Sequence, residues 1–456
     1  MATEKPPSAI SRPRRRSIVV VGIAGGALAS VILLLQVIPY GLSRSLTPID
    51  EIGHIDYAIA MSVGHWPRWG DTYAQQTLLI ADCVGSGFGP SGSCHPHERQ
   101  AEDYFPEGWS YEAQQPPLGY VAHGVVARAT GLSEPLIQLS WLRATSLFLG
   151  VFGLLAIGAL AGAVAPTARV AFAAATSAAL MPTVVNASQF VTNDAALLIA
   201  GSLAVVPGLV VIMRPQTTGR VVYPLAVACG IAVPLIKTVA SVTIVAMLLW
   251  AALLAVPWGT KRVTMSRRAL YTTGVQLAVA GGTTLAFVIT QQALGSMPSR
   301  VVMDAVLGRG DGGFPWTPLA IGVRDALSMA LYPYEPVTEF RVAPVALLIG
   351  GLLVALLVLS SIPGPESLRR LDPVPVAIVG AVVVTMAVWT FGMYFWGGFG
   401  LSLPLRFLIP LVPLVVLLSL KGLARISWVS WTVPVVGFLL ALAMVSPIIP
   451  PWLGTE

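Results

Sequence analysis

Charge is scarce in this chain. Of its 456 residues only 11% are Asp, Glu, Lys or Arg, while 55% are hydrophobic. A soluble domain carries about 25% charged residues, so a polar shell around one large core is excluded. Polar–apolar alternation is missing from the apolar segments, which argues against a membrane β-barrel. What is present are continuous apolar runs, several reaching the roughly 20 residues that a helix needs to cross the hydrocarbon. In lipid the backbone must satisfy its own hydrogen bonds, so such runs are helices. The expectation is an all-α membrane protein with about eleven transmembrane helices.

The first run, Ser17 to Pro39, follows Arg12-Pro13-Arg14-Arg15-Arg16. It is too long for the apolar part of a signal peptide, and no small-x-small cleavage site follows it. It reads as a retained first helix behind a cytoplasmic basic tail, residues 1–16, with residues 17–456 forming one transmembrane domain. Further spans are expected at 138–164, 168–187, 190–213, 221–236, 239–257, 269–292, 343–362, 375–396, 405–420 and 428–447. The short span 221–236 has Pro234 near its end, so 221–236 and 239–257 are alternatively one broken helix. With Met1 cytoplasmic, the cytoplasmic segments collect most of the 27 Lys and Arg, among them Arg169, Arg214, Arg220, Arg267, Arg268 and Lys421. They hold only Glu4, Glu366 and Asp372 of the 21 acids. This is the positive-inside pattern. The net charge of +6 is then a topology signal, and no nucleic-acid partner is expected.

Two segments on the outer side are long, residues 40–137 and 293–342. No internal repeat is visible, which argues against a transporter of duplicated halves. The longest basic cytoplasmic connection, about Trp258 to Arg268, falls short of the roughly 30 residues of a βαβ nucleotide-binding unit. The first outer loop holds all five histidines, His54, His65, His95, His97 and His123, together with Cys83 and Cys94. On an oxidising face these two cysteines are expected to pair, worth roughly 3 kcal/mol in the chain-entropy picture. Cys229 falls within a span and reads as packing.

Three stretches carry candidate chemistry. Thr47-Pro48-Ile49-Asp50-Glu51-Ile52-Gly53-His54-Ile55-Asp56-Tyr57 follows the first span. Thr47, Pro48 and Asp50 satisfy a helix start, but capping leaves Glu51, His54 and Asp56 unexplained. Asp50 and His54 fall on one helix face with Tyr57. Tyr111-Glu112-Ala113-Gln114-Gln115-Pro116-Pro117-Leu118-Gly119-Tyr120 has a backbone fixed by two prolines. Its Glu112, Gln114 and Gln115 suit sugar hydroxyls, although the stretch also reads as a rigid turn into an interfacial helix. Leu403-Pro404-Leu405-Arg406-Phe407-Leu408-Ile409-Pro410 puts Arg406 at the membrane edge. An ionisable residue there is a functional candidate, with snorkelling to the headgroups as the bland alternative. Lys237 has the same status, and Asp194 sits at a span start, where it also suits the helix N-terminus. Arg143, Arg324 and Arg341 are further cations on that side.

These stretches, with Asn193-Asp194 and Lys237-Thr238, resemble in order a DUF2142-type family of bacterial multi-pass membrane proteins. That family is similar to the GT-C glycosyltransferases, which include protein mannosyltransferases and the aminoarabinose transferase of lipid A. The resemblance runs from about residue 17 to 420. It departs at Leu405-Arg406-Phe407, where Gly-Arg-Tyr is usual, and at Gly119, where an aromatic is common. It implies a helical bundle with amphipathic helices of the first loop on the outer surface of a bacterial inner membrane. It also implies a sugar donor carried on a polyprenyl phosphate, with Asp50 as the general base and Glu51 as the other candidate. The acceptor would be an envelope glycan, lipid or protein. Such transfer needs a base for the acceptor hydroxyl and cations for the departing phosphate, and the residues supply both types. Some relatives bind a divalent metal. Glu51 with His54 is the pair such an ion would use here, but no motif compels it, and no cofactor is expected. The competing readings are a transporter or flippase, and a non-catalytic accessory protein of lipid-linked glycan assembly.

Overall fold

The computed structural model describes residues 12–41, 46, 51–68, 71–85, 94, 100–104, 108–131, 133–213, 219–255, 267–295, 366–397, 405–425 and 428–445. The expected span 343–362, and Asp50, Arg324 and Arg341, lie outside the described residues, and Arg406 is described only as backbone.

Among the described residues all regular structure is helical. The α-helices are α1 (Arg12–Gly41), α2 (Glu51–Ser62), α3 (Gln75–Val84), α4 (Val121–Thr130), α5 (Pro135–Val164), α6 (Ala168–Ser177) and α7 (Pro182–Gln189). They continue with α8 (Leu197–Met213), α9 (Gly219–Ile236), α10 (Val242–Ala255), α11 (Arg267–Leu294), α12 (Val374–Gly397), α13 (Val412–Arg425) and α14 (Val429–Val445). Among the described residues, seven helical stretches are long and apolar enough to cross a membrane. An eighth is the pair α6 and α7 if they count as one span, bent by 60° where the chain breaks before Pro182. The apolar part of α12, Val374–Val388, and that of α14, Val429–Leu439, are shorter. The protein is therefore a multi-pass helical membrane protein. Phe148, Phe152, Leu285 and Ile289 stand exposed on their helices, a surface suited to acyl chains and not to water.

One expected boundary differs, and one pair expected as separate spans is found so. The run from 190 begins with a non-helical stretch, and its span starts at Asp194, because Phe190–Asn193 is held by side-chain hydrogen bonds described below. The runs at 221–236 and 239–257 form separate stretches of 18 residues each, Gly219–Ile236 and Thr238–Ala255, split at Lys237.

Close backbone approach organises the bundle. Gly22 and Gly26 on α1 face Gly158 and Gly162 on α5, and a Cβ at Gly26 would lie 2.6 Å from the Leu154 carbonyl oxygen. Paired small-x-x-x-small stretches allow such approach where no hydrophobic force acts between helices. The main apolar core joins α1 and α5 through α14. A second cluster packs Leu46, Ile52, Ile55, Tyr73, Ile80 and Tyr104, from the segment between α1 and α5, against Leu139 and Leu142 of α5 and Val191. Cys83, in the last turn of α3, is joined to Cys94 by a disulfide.

The expected amphipathic surface helices need a distinction. The helix α4 is amphipathic, with Val121 and Val125 exposed and His123, Gly124 and Ala127 buried. By contrast α2 is buried from Glu51 through Ile59, because α3, α4 and the turn Tyr111–Gln114 cover it. Its polar residues must find partners inside the protein.

Candidate functional site

The site forms where one end of the bundle meets the segment between α1 and α5. The chain reaches this end at the close of α1 and leaves it along α5. It returns with α7, leaves along α8, returns with α9 and leaves along α10. The turns Asp194–Ala196, Thr238–Ser241 and Leu405–Leu411 therefore start helices at the same end, and the last touches the other two.

The first residue of α2 makes the strongest contact. Both Glu51 oxygens accept from Arg143 of α5, at 2.8 Å from Nε and 2.8 Å from Nη2. Oε1 also accepts the Val191 backbone N–H at 2.9 Å. Both side chains are fully buried. The guanidinium also lies 5.8 Å from the Phe190 ring centroid. Charges this deep persist only when paired and hydrogen-bonded.

One turn on, His54 is held from both ring nitrogens. Nδ1 lies 2.6 Å from the Tyr120 hydroxyl, and Nε2 lies 3.4 Å from Thr192 Oγ1. Tyr120 donates to Glu112 Oε2 at 3.2 Å. A consistent donor order then has the Nδ1–H donating to Tyr120 and Nε2 accepting from Thr192. Tyr57 stacks on Tyr120, with ring centroids 4.0 Å apart, and donates to the Gln115 carbonyl at 3.0 Å. Burial, then the Glu112 carboxylate, pushes both phenols above their ordinary range. Both remain hydrogen-bond donors at any working pH. Asp56 turns to the other side, accepting from the Ala74 N–H at 2.8 Å and from Thr77 Oγ1 at 2.9 Å. Burial raises its pKa against those hydrogen bonds.

The cationic part lies across the Val191–Asp194 turn. Lys237, the residue that splits the two spans, is buried and donates to Asn193 Oδ1 at 2.8 Å. It also pairs with the Asp194 carboxylate. Thr192 Oγ1 accepts the Asp194 N–H at 3.1 Å. Asn193 Nδ2 is buried without a hydrogen-bond partner. Gly119 fits against this turn: a Cβ there would lie 2.6 Å from the Ile236 carbonyl oxygen and 3.0 Å from Asn193 Cβ. A side chain at position 119 is thus excluded by packing. The Leu405–Leu411 turn, which carries Arg406, touches both Asp194–Ala196 and Thr238–Ser241, and its Pro410 carbonyl accepts from Thr243 Oγ1 at 2.7 Å.

Of the expected residues, the structure brings together Glu51, His54, Tyr57, Glu112, the Gln115 backbone, Asp194 and Lys237, with the turn of Arg406 beside them. Gln114 is half-buried on the turn of Glu112. Cys83 and Cys94 serve the α3 end instead. Sequence reasoning did not single out Tyr120, Thr192, Ser146 or His123 as network members. Ser146 Oγ lies 2.9 Å from His123 Nε2 and bonds the Thr192 backbone. The signal of Ser146 was weak because hydroxyls on apolar helices usually bond their own preceding turn. Among the described residues no group of three or more His, Cys, Asp or Glu is arranged to hold a metal, since Glu51 faces Arg143 and His54 faces Tyr120.

No family model matches the chain, and no curated protein matches it. Among solved structures, ArnT from Cupriavidus metallidurans bound to undecaprenyl phosphate is 17% identical over 92% of this chain and 63% of its own, with a TM-score of 0.49. ArnT in the apo state is 18% identical over 91% of this chain and 62% of its own, with a TM-score of 0.43. The chain thus spans less than two thirds of the length of these neighbours.

Proposed function

We propose that this protein is a GT-C-like glycosyltransferase that moves a sugar from a polyprenyl-phosphate donor to a glycan, lipid or protein acceptor on the outer face of a bacterial inner membrane. The observation that carries the reading is the meeting of helix starts around Lys237. The spans beginning at Asp194 and Thr238 and the turn Leu405–Leu411 come together there. Helix N-termini present unpaired N–H groups and positive dipole ends, a setting that favours an anion. Lys237 and the unspent Asn193 Nδ2 donor suit a phosphate at the membrane edge, and Arg406, carried on the adjoining turn, is proposed as a further cation for it. Asp50 is proposed as the base that deprotonates the acceptor hydroxyl, because it immediately precedes Glu51, which is committed to Arg143.

The transporter reading fits less well. A pathway through the bundle calls for ionisable groups deep in the spans. Among the described residues, the buried acids, lysines and arginines are Glu51, Asp56, Asp82, Glu112, Arg143, Asp194, Lys237 and Lys421. Each lies in the segment before α5 or within about two turns of a helix end. The orientation is proposed from Arg15, Arg169, Arg220, Arg267, Arg268, Arg370 and Arg425, all at the end opposite the site.

Native mass spectrometry of the detergent-purified protein tests the donor site. Retention of a polyprenyl phosphate by the wild type, weakened in Lys237→Met and Arg406→Ala, is expected. Equal retention by all three proteins would remove Lys237 and Arg406 from the donor site.

A further inference from the structure

We propose that Glu51 and Arg143 are positioning residues that fix the register between α2 and the cationic turn at Asp194 and Lys237. The catalytic meaning of this register rests on the transferase reading above.

The argument follows four consecutive residues. The Val191 N–H is held by Glu51 Oε1 at 2.9 Å. The Thr192 hydroxyl lies 3.4 Å from His54 Nε2 and accepts the Asp194 N–H at 3.1 Å. Asn193 and Asp194 hold Lys237. Every residue from Val191 to Asp194 is therefore bound either to α2 or to the lysine. Glu51 starts the chain, and Glu51 is itself fixed by the two-pronged Arg143 contact from α5. A bidentate guanidinium–carboxylate pair sets direction as well as distance, which a lysine's single charged nitrogen does not. The same contact helps explain why a span expected from residue 190 starts only at Asp194: the backbone N–H groups of Val191, Thr192 and Asp194 donate to side-chain oxygens in place of helix carbonyls.

A carboxylate already receiving three N–H donors is a poor proton acceptor for a substrate. Glu51 therefore leaves the set of candidate bases, and Asp50, the residue immediately before it, remains. Displacing a reacting group by about 1 Å costs on the order of 10²-fold in rate, so loss of the register should appear in kcat.

Two readouts test this on the full chain in detergent or nanodiscs. The first is the pH–rate profile of Glu51→Gln and Arg143→Lys with a polyprenyl-phosphate sugar. The expected result is a kcat lower on the order of 10²-fold, a KM near wild type and an acid limb that stays in place. Loss of the acid limb in Glu51→Gln would make Glu51 the base and overturn the proposal, as would wild-type kcat in both variants. The second readout needs no activity. Amide hydrogen exchange across Val191–Asp194 should accelerate in both variants while the middle of α5 stays protected. Unchanged exchange at Val191–Asp194 would overturn the register, whether or not the wild type transfers sugar. Failure of the wild type to turn over would count against the transferase reading alone. If Glu51→Gln does not fold, Arg143→Lys carries both readouts, because it keeps the charge and loses only the fork.

Discussion

The two ends of the bundle bury charge in different ways. At the site end, Glu51 with Arg143 and Asp194 with Lys237 are pairs in which both members are buried. At the opposite end, Lys421 is fully buried, but its partner Asp372 keeps 41% of its side chain exposed. Nearby, Arg370 donates to the Ile212 carbonyl at the close of α8, and Trp250 Nε1 donates to the Arg370 carbonyl at 2.8 Å. The opposite end uses charge to cap and anchor helices against a wet surface. The site end holds charge away from water and links the pairs through one turn. Two linked, fully buried pairs are poorly explained by stability, since desolvation offsets much of their attraction. They are well explained by a need to keep groups at fixed separations.

The largest expected contrast is catalytic. Asp50→Asn should lower transfer by roughly 10²-fold or more, since it removes basicity while keeping shape, whereas Asp372→Asn at the opposite end should leave turnover near wild type. Steady-state assays with matched protein amounts decide it. A normal rate in Asp50→Asn would break the assignment of chemistry to the site end.

The next contrast is in stability. Lys237→Met strands Asp194 in a buried setting and should cost about 3–5 kcal/mol. Lys421→Met frees an acid that already meets solvent, so its cost should be below about 1 kcal/mol. Denaturant unfolding in micelles reads both, and equal losses would erase the distinction between the two ends.

A third prediction orders donor affinity. Wild type should bind a polyprenyl phosphate most tightly, then Arg406→Lys, then Arg406→Ala, because lysine keeps the charge without the fork. Titration by tryptophan fluorescence gives the order, and binding by Arg406→Ala equal to wild type would place Arg406 at the headgroups only.

Much of the fold was legible because hydrocarbon thickness dictates length. The run after the Arg14–Arg16 cluster became α1, and 138–164 became α5 with one extra turn at its start. Lys237 and Asp194 stood out because a lone charge beside an apolar run is conspicuous. Pairings were less legible. Glu51 and Arg143 are 92 residues apart, and nothing local announces that an acid and an arginine so distant will share a buried site. Tyr120 was hidden for another reason: it read as the end of a proline-fixed turn, and its role as the partner of both His54 and Glu112 depends on how that turn folds onto α2. The burial of α2 also escaped the pattern, because the resemblance implied amphipathic helices on the outer surface, whereas Glu51, His54 and Asp56 find their partners on α5, Tyr120, Thr192 and the Ala74–Thr77 turn.

The smallest effect concerns His123. Burial lowers its pKa from 6.5 to about 4, so the folded state keeps it neutral while the unfolded chain takes up a proton. As pH falls from 6.5 towards 4 the unfolded state binds more protons, and stability declines. The full span is on the order of 3 kcal/mol. His123→Gln retains a donor near Ser146 and should flatten the thermal midpoint across that window. A slope identical to wild type would assign the acid sensitivity to other groups.

The most direct test of the account gives the purified wild-type protein, in separate reactions, a polyprenyl-phosphate sugar and the matching nucleotide sugar, each with envelope acceptor. Transfer is predicted from the lipid-linked donor only, and it should be lost in Asp50→Asn. Turnover with the nucleotide sugar alone, with no lipid carrier present, would contradict the assignment of a lipid phosphate to the turn around Lys237.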